Sequence, residues 1–478
     1  MTGEPSLRIA VVGHTNTGKT SLLQTLLRRR DFGVVSPRGG TTRASLAGHV
    51  ADSQGPIATI LDTPGLEDSL ELRERLEAGR VDRHEDPRTL LDRLLDSPAA
   101  ASDGPLGLEA DAIRSAIGAD VLLYAIDARE EPRPRHVDEL AVLAATARPL
   151  VPLLNFTARP EARADRWRET CARQGLHATV AFDAVVYDDA GERRLLEAIR
   201  TLAPDHADAI DRWLDLRAHE RAAAIDRAIE VAADLLVDAA AATVVTERAD
   251  DEDARRRAFE VASGDLLEAT RRREAEARSA IAACFGFEGE DATAATLEIA
   301  ESLGGVDFAS AASLERAGLW AAGGGAGLVA AGAMVDLATG GVSLGGFTAL
   351  GAVGAALGAA GASGAKLLRR WRGQDEVRLA DAAIELLSIR AAATIRALLA
   401  RGHAAIEPTS IETEVRRFLQ STEARTTEAD APWRRARGRA AWSTLSRPAS
   451  GSVPGPGRAE CVREVADAMG ASLRNRPR

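Results

Sequence analysis

The sequence predicts an α/β domain with a parallel sheet, followed by a mostly α-helical half. Three observations carry this. Residues 1–203 alternate short apolar runs with helix-periodic stretches, as strand–helix–strand crossovers require. The run Val121-Leu122-Leu123-Tyr124-Ala125-Ile126 is apolar without a break, which suits a strand covered on both faces. From residue 204 the strand signal fades, and Ala, Arg, Glu and Leu dominate 205–284 and 374–420 at helical spacing.

The elements follow in order. Strands are expected at 8–12, 45–50, 57–61, 120–126, 150–154 and 179–186. Helices are expected at 21–29, 137–147, 162–175 and 193–202. At 478 residues the chain suffices for two or three domains. The expected division is 1–203, with an insertion at 66–118; 204–430; and 431–478, a basic linker and a short helix. The net charge of −11 gives no global bias toward nucleic acid. Cys171, Cys284 and Cys461 are scattered and odd in number, as reduced thiols are. Met1-Thr2-Gly3-Glu4-Pro5 lacks a secretory pattern, so a cytoplasmic protein is expected.

Residues Gly13-His14-Thr15-Asn16-Thr17-Gly18-Lys19-Thr20 fit G-x-x-x-x-G-K-[ST] between a predicted strand and a predicted helix that opens near Ser21. The chain has 58 arginines and two lysines, Lys19 and Lys366. An ammonium fits between phosphate oxygens as a point charge, where a planar guanidinium does not. Main-chain N–H groups of the loop would cradle phosphates, Lys19 would meet the β- and γ-phosphates, and Thr20 would serve Mg²⁺. Lys19 is expected to stand exposed in the loop. Asp62-Thr63-Pro64-Gly65 follows the strand at 57–61. There Asp62 can hold Mg²⁺, and Gly65 can offer its N–H to a γ-phosphate. Between the two, Gly39-Gly40-Thr41-Thr42-Arg43 supplies a threonine, Thr41 or Thr42, to complete the metal shell.

GHTNTGKTS, GGTTR and DTPG resemble the first three motifs of the Era and tRNA-modification-type GTPases of the translation-factor class. The resemblance covers about residues 6–203. It implies a Ras-like P-loop G domain, GTP and GDP as ligands, GTP hydrolysis, and switch regions at Thr41/Thr42 and at 62–66. The whole arrangement also resembles a bacterial family in which such a domain precedes a helical domain of unknown function. The family's N-K-x-D motif is degenerate: Asn155 matches, Phe156 stands for the lysine and Ala158 for the aspartate. Glu161 or Asp183 could stand in for that carboxylate. GTP is the favoured base reading; ATP and a relaxed site stay open. Leu66 stands where Ras-type enzymes orient water with glutamine, so hydrolysis is expected to be slow. Asn16 sits where potassium-dependent relatives bind K⁺; the plainer reading is that it shapes the loop. The insertion at 66–118 directly follows the second switch. It reads either as a carrier of the nucleotide signal or as a surface insertion.

Residues 317–365 hold 15 of the 42 glycines and one charge, Asp336. Two readings stand: a membrane hairpin of 317–335 and 342–365 turning at Asp336, with positive flanks on the cytoplasmic face of the inner membrane, or a buried Gly/Ala hairpin. Arg434, Arg435, Arg437 and Arg439 read as a solvated basic run, or as a holder of lipid or RNA phosphates. The expected output is therefore a membrane or protein partner. RNA or ribosome binding is the less favoured alternative, and a scaffold with negligible turnover a third. A nucleotide-dependent dimer also stays open.

Overall fold

The computed structural model of the chain describes residues 7–29, 32, 46–82, 84–101, 103–157, 159–183, 189–286, 335–337, 375–401, 431–446 and 457–474. The chain forms two compact units, one built on residues up to Glu220 and one from Arg221 onward.

The first unit begins with β1 (Leu7–Val12), α1 (Lys19–Leu27), β2 (Leu46–Asp52) and β3 (Gly55–Asp62). Three helices follow in the insertion: α2 (Ser69–Ala78), α3 (Pro87–Leu95) and α4 (Gly107–Ile117). Then come β4 (Val121–Asp127), α5 (Pro134–Ala144), β5 (Leu150–Asn155), α6 (Ala164–Arg173), β6 (Val180–Ala181) and α7 (Asp189–Leu202). The sheet order is β2-β3-β1-β4-β5-β6. All pairs are parallel except the β2–β3 hairpin at the edge.

The apolar runs form central strands because both faces are covered. Ile9, Val11, Leu123, Val151 and Leu153 pack on one side with Leu22, Leu23 and Leu26 of α1 and Leu195, Leu196 and Ile199 of α7. Ala10, Val12, Leu122, Tyr124 and Leu154 pack on the other side with Leu72, Leu91, Ile113, Leu143 and Trp167. Each fully buried Leu or Ile contributes about 1.5–3 kcal/mol. Pro152 lies within β5, where a missing N–H would break a ladder. β6 pairs only Leu153 and Leu154, so Pro152 faces no strand on that side among the described residues. β6 is shorter than the predicted 179–186. Residues 184–188 lie outside the described residues.

β1 has β3 on one side and β4 on the other, so successive crossovers leave it in opposite directions. In such sheets the crevice at the carboxyl ends of the strands is the binding position. The predicted phosphate loop sits there, directly after Val12.

The second unit takes the end of α8 (Ala207–Ala241), then α9 (Glu252–Cys284), α10 (Asp381–Arg401) and α11 (Arg458–Arg474). Its core joins Ala-rich stretches of α8 and α10 to Phe259, Leu266 and Ile281 of α9. The unit is mostly helical, as the sequence reading has it, with one small sheet that the sequence did not signal. β7 (Val244–Val245), β9 (Glu376–Leu379) and β8 (Val335–Leu337) form an antiparallel sheet in that order. Strands of two to four residues are too short to show a period in sequence. Asp336, predicted at the turn of a hairpin, pairs instead with Arg378 across the β8–β9 ladder. The rest of 317–365 lies outside the described residues. Among the described residues no helix is long and apolar enough to cross a membrane.

Residues 431–446 are not a solvated linker. Trp433 and Trp442 are buried in the core of this unit, within short 3₁₀ turns at Pro432–Ala436 and Ala440–Trp442. Arg434 and Arg437 both pair with Asp381, and Arg435 with Glu460 and Glu464. The Arg439 guanidinium lies 4.3 Å from the Trp442 ring. These arginines are therefore engaged by acidic and aromatic side chains of the protein, with Arg435 and Arg439 remaining exposed. Their acidic partners are distant in sequence, which is why the run reads as free. Arg447 lies outside the described residues.

Candidate nucleotide site

β1 ends at Val12, and the chain then turns through conformations that few side chains tolerate. Gly13 has φ 142°, Asn16 φ 66° and Gly18 φ 85°. A Cβ at Gly13 would lie 2.6 Å from the Ala125 carbonyl oxygen, and one at Gly18 2.4 Å from Asn155 Nδ2. Both glycines are thus required by close approach as well as by φ. α1 starts at Lys19 with no side-chain cap and no acidic residue in its first turn. Its leading N–H groups and positive dipole end face the loop, as an anion site requires. Ser21 lies in that first turn.

Lys19 departs from expectation. It is 8% exposed, and Nζ donates to the carbonyl oxygens of Gly13 (3.1 Å) and His14 (2.8 Å). The loop curls over the ammonium and supplies acceptors that sequence alone does not reveal. Burial pushes its pKa down to about 8, against the opposing pull of Asp62, Glu139 and Glu67. A cation hydrogen-bonded to neutral carbonyls can exchange them for charged phosphate oxygens, which bind it more strongly.

Thr20 and Asp62 come together across 42 positions: Thr20 Oγ1 donates to Asp62 Oδ2 at 2.7 Å. Asp62 is fully buried at the end of β3. Among the described residues no cluster of three His, Cys, Asp or Glu could hold a metal. A hydroxyl with one carboxylate is a hard oxygen pair that fits Mg²⁺, which binds few protein groups and fills its shell with water and phosphate oxygens. Thr63 Oγ1 donates to Val11 O at 2.8 Å and anchors the segment after β3 to β1. Gly65 abuts the loop, for its Cβ position lies 2.2 Å from Thr15 Oγ1 and 3.0 Å from Thr15 N. Thr41 and Thr42 lie outside the described residues, so their place is not part of this geometry.

The Leu66 side chain is fully buried in the core, away from the loop. Its N–H donates to Gly13 O at 3.2 Å. Asn155 is also buried. Nδ2 donates to Thr17 O (3.0 Å), and Oδ1 accepts from Phe156 N (2.9 Å). Asn155 thus braces the phosphate loop against β5. Phe156 has φ 59°, and its ring tip is 3.3 Å from the Cβ position of Gly18. The Arg129 guanidinium stacks 4.0 Å from that ring and is clamped by Asp127. Of the two substitute carboxylates, Asp183 is buried just after β6 and Glu161 is exposed. Ala158 lies outside the described residues. Asn16 is exposed.

Sequence reading missed His14, Glu67, Tyr124, Arg129 and Glu139. The first hides in a variable motif position, and the others are brought to the loop only by the fold. Thr15 Oγ1 donates to Glu67 Oε1 at 2.6 Å, a second tie between loop and switch.

The strand–loop–helix with its lysine, and the Asp-x-x-Gly segment beside it, define the first unit as a P-loop GTPase-family domain. A family model described as "50S ribosome-binding GTPase" matches residues 8–156. A second, "Domain of unknown function (DUF3482)", matches residues 168–466, more than half of the chain, and the chain belongs to that family. The tRNA modification GTPase MnmE of Ehrlichia canis (strain Jake) is 43% identical over 67 residues, which are 14% of this chain and 15% of that protein. GTPase Der of Streptococcus pyogenes serotype M5 (strain Manfredo) is 35% identical over 77 residues, 16% of this chain and 17% of that protein. The chain therefore spans less than a fifth of the length of either relative. A structure of Era in complex with MgGDPNP and part of 16S ribosomal RNA aligns at 22% identity with a TM-score of 0.27, covering 37% of this chain and 51% of that one.

Proposed function

We propose that the first unit binds GTP and GDP with Mg²⁺ and hydrolyses GTP slowly. The observation that carries this is the convergence of Lys19, Thr20 and Asp62 at the end of β1 and β3. In this reading Gly13, Thr17 and Gly18 shape the cradle, Lys19 holds the β- and γ-phosphates, and Thr20 and Asp62 hold the metal. Mg²⁺ held there would supply neutralisation of phosphate charge. Thr41 or Thr42 would complete that shell, and Gly65 would offer its N–H to the γ-phosphate. Slow turnover follows from Leu66, which offers no polar group to orient water. The exposed Asn16, within the loop, shapes its turn at φ 66°; K⁺ as a second cation there is the alternative reading.

The base assignment to guanine rests on the family, because no carboxylate stands at position 158. The second unit is read as the output: it turns nucleotide state into contact with a membrane, through 317–365, or with a protein partner. The insertion helices α2–α4 follow Gly65 and Leu66 directly and are the route by which that state would pass. An RNA- or ribosome-directed role is the alternative.

One experiment tests the core of the reading. The purified chain is titrated with GTP, GDP and ATP and assayed for phosphate release with and without Mg²⁺ and K⁺. Binding without turnover would leave a scaffold; no binding would remove the assignment. Flotation with anionic liposomes, set against sedimentation with ribosomes, then separates the output readings.

A further inference from the structure

A group that no motif contains fixes the switch to the phosphate loop. Glu139 of α5 is fully buried. Its Oε2 accepts from the Tyr124 hydroxyl of β4 at 2.6 Å. Its Oε1 lies 3.3 Å from His14 Nδ1. That same Nδ1 lies 2.8 Å from the Leu66 carbonyl oxygen. Both neighbours of Nδ1, a carboxylate and a carbonyl, are acceptors only. Nδ1 therefore carries a proton and donates, whatever the charge on the ring.

Leu66 is thus held at both main-chain atoms by consecutive loop residues. Its N–H goes to Gly13, and its carbonyl takes the His14 proton. The residue before it is Gly65, whose N–H is assigned to the γ-phosphate above. The Gly13 contact holds the Gly65–Leu66 peptide plane and the His14 contact holds the Leu66–Glu67 plane, the two planes that directly follow the Gly65 N–H. Glu139 Oε1 has no hydrogen-bond partner of its own, so it acts on the imidazole by its charge at 3.3 Å, while the phenol keeps the carboxylate in place. Facing His14 are Glu139, Arg135 and His136 from α5 and Tyr124 from β4. The first of these pulls the His14 pKa up, while burial opposes it.

Building on the function proposed above, we propose that His14 and Glu139 are positioning residues for GTP turnover. Glu139 orients the His14 ring, and His14 Nδ1–H sets the switch backbone that presents Gly65 to the γ-phosphate. A diphosphate has no γ-phosphate, so GDP binding does not use this device. A residue needed only to shape the loop would affect both nucleotides alike.

The test uses the full-length chain and the variants His14→Ala, His14→Asn and Tyr124→Phe, with single-turnover GTP hydrolysis and GDP affinity measured on the same samples. Asparagine places an amide N–H near the position of Nδ1, whereas alanine places nothing there. The expected result is a loss of turnover in His14→Ala of about 10- to 100-fold, the scale of an ångström of misplacement. GDP affinity should stay within about threefold of wild type, a change under one hydrogen bond. His14→Asn should recover most of the lost rate. Should His14→Ala fail to fold, Tyr124→Phe carries the test, with an expected loss of about two- to fivefold, the scale of one neutral hydrogen bond. Wild-type turnover in His14→Ala, a parallel loss of GDP and GTP binding, or no recovery in His14→Asn would each overturn the inference alone. If the wild-type chain binds no GTP at all, the function reading fails and this one with it.

Discussion

Thr20 Oγ1 and Asp62 Oδ2 lie 2.7 Å apart, although they belong to the first helix and the third strand. The contact sets a hydroxyl and a buried carboxylate at one edge of the loop, distinct from its lysine, where the proposed Mg²⁺ would bind. Thr20→Ala should therefore weaken Mg²⁺-dependent binding of GTP by roughly tenfold or more, a lost metal-site hydroxyl being worth about 1.5–3 kcal/mol. Metal-free GDP binding should change little. The check is a titration in Mg²⁺ and in EDTA. Equal losses in both would mean that Thr20 serves only the shape of the loop.

Gly18 cannot carry a side chain. Its φ is 85°, and a Cβ would meet Asn155 Nδ2 at 2.4 Å. Gly18→Ala should cost about 1–3 kcal/mol of stability from backbone strain and displacement of Asn155. Nucleotide binding should fall with it. Thermal melting and GDP titration read the two effects, and an unchanged melt would contradict the packing described.

His136 gives a pH signature. Burial pushes its pKa down to about 4 from an ordinary 6.5. The folded chain thus binds fewer protons than the unfolded chain between those values. Stability is then present above about pH 6.5 and is lost as pH falls toward 4, by about 2–3 kcal/mol from this group. Melts of wild type and His136→Gln across that window should converge as pH drops. A parallel pair of curves would show that His136 does not drive the acid loss.

Trp442 tests the folded reading of the C-terminal segment. It is buried, and the adjoining Ser443 and Thr444 hydroxyls donate to the buried Asp238 at 3.0 and 2.7 Å. Trp442→Ala should destabilise the second unit by about 3–5 kcal/mol, as large-to-small core changes do. Denaturant unfolding measures it. A loss under about 0.5 kcal/mol would be that of a surface site and would restore the solvated linker.

The sheet and loop were legible because their signals are local. β1 is an apolar run broken only by the exposed Arg8, β4 is apolar from Val121 to Ile126, and Gly13, Gly18 and Lys19 sit at fixed offsets in a motif with a mechanism. What stayed hidden depends on contacts made through space. Lys19 reads as exposed until the loop is seen to curl over it. His14 is a variable letter until Glu139 and Leu66 arrive from other elements. Arg434 and Arg437 read as free charge because Asp381 lies more than forty residues earlier. β7 and β9 are too short for any period. Phe156 was legible as a departure, but not its stacking with Arg129, which depends on where the β4 end leads.

The central claim is that Lys19 holds nucleotide phosphates. It is tested most directly by titrating a fluorescent GTP analogue, in Mg²⁺, into wild type and Lys19→Ala. The account predicts saturable binding in wild type and a loss of about 2–5 kcal/mol in the variant, the scale of a lost buried charge contact. The variant should melt as a folded protein, because the groups it frees, the carbonyls of Gly13 and His14, lie beside solvent-accessible loop. Equal affinity in the two proteins would contradict the account.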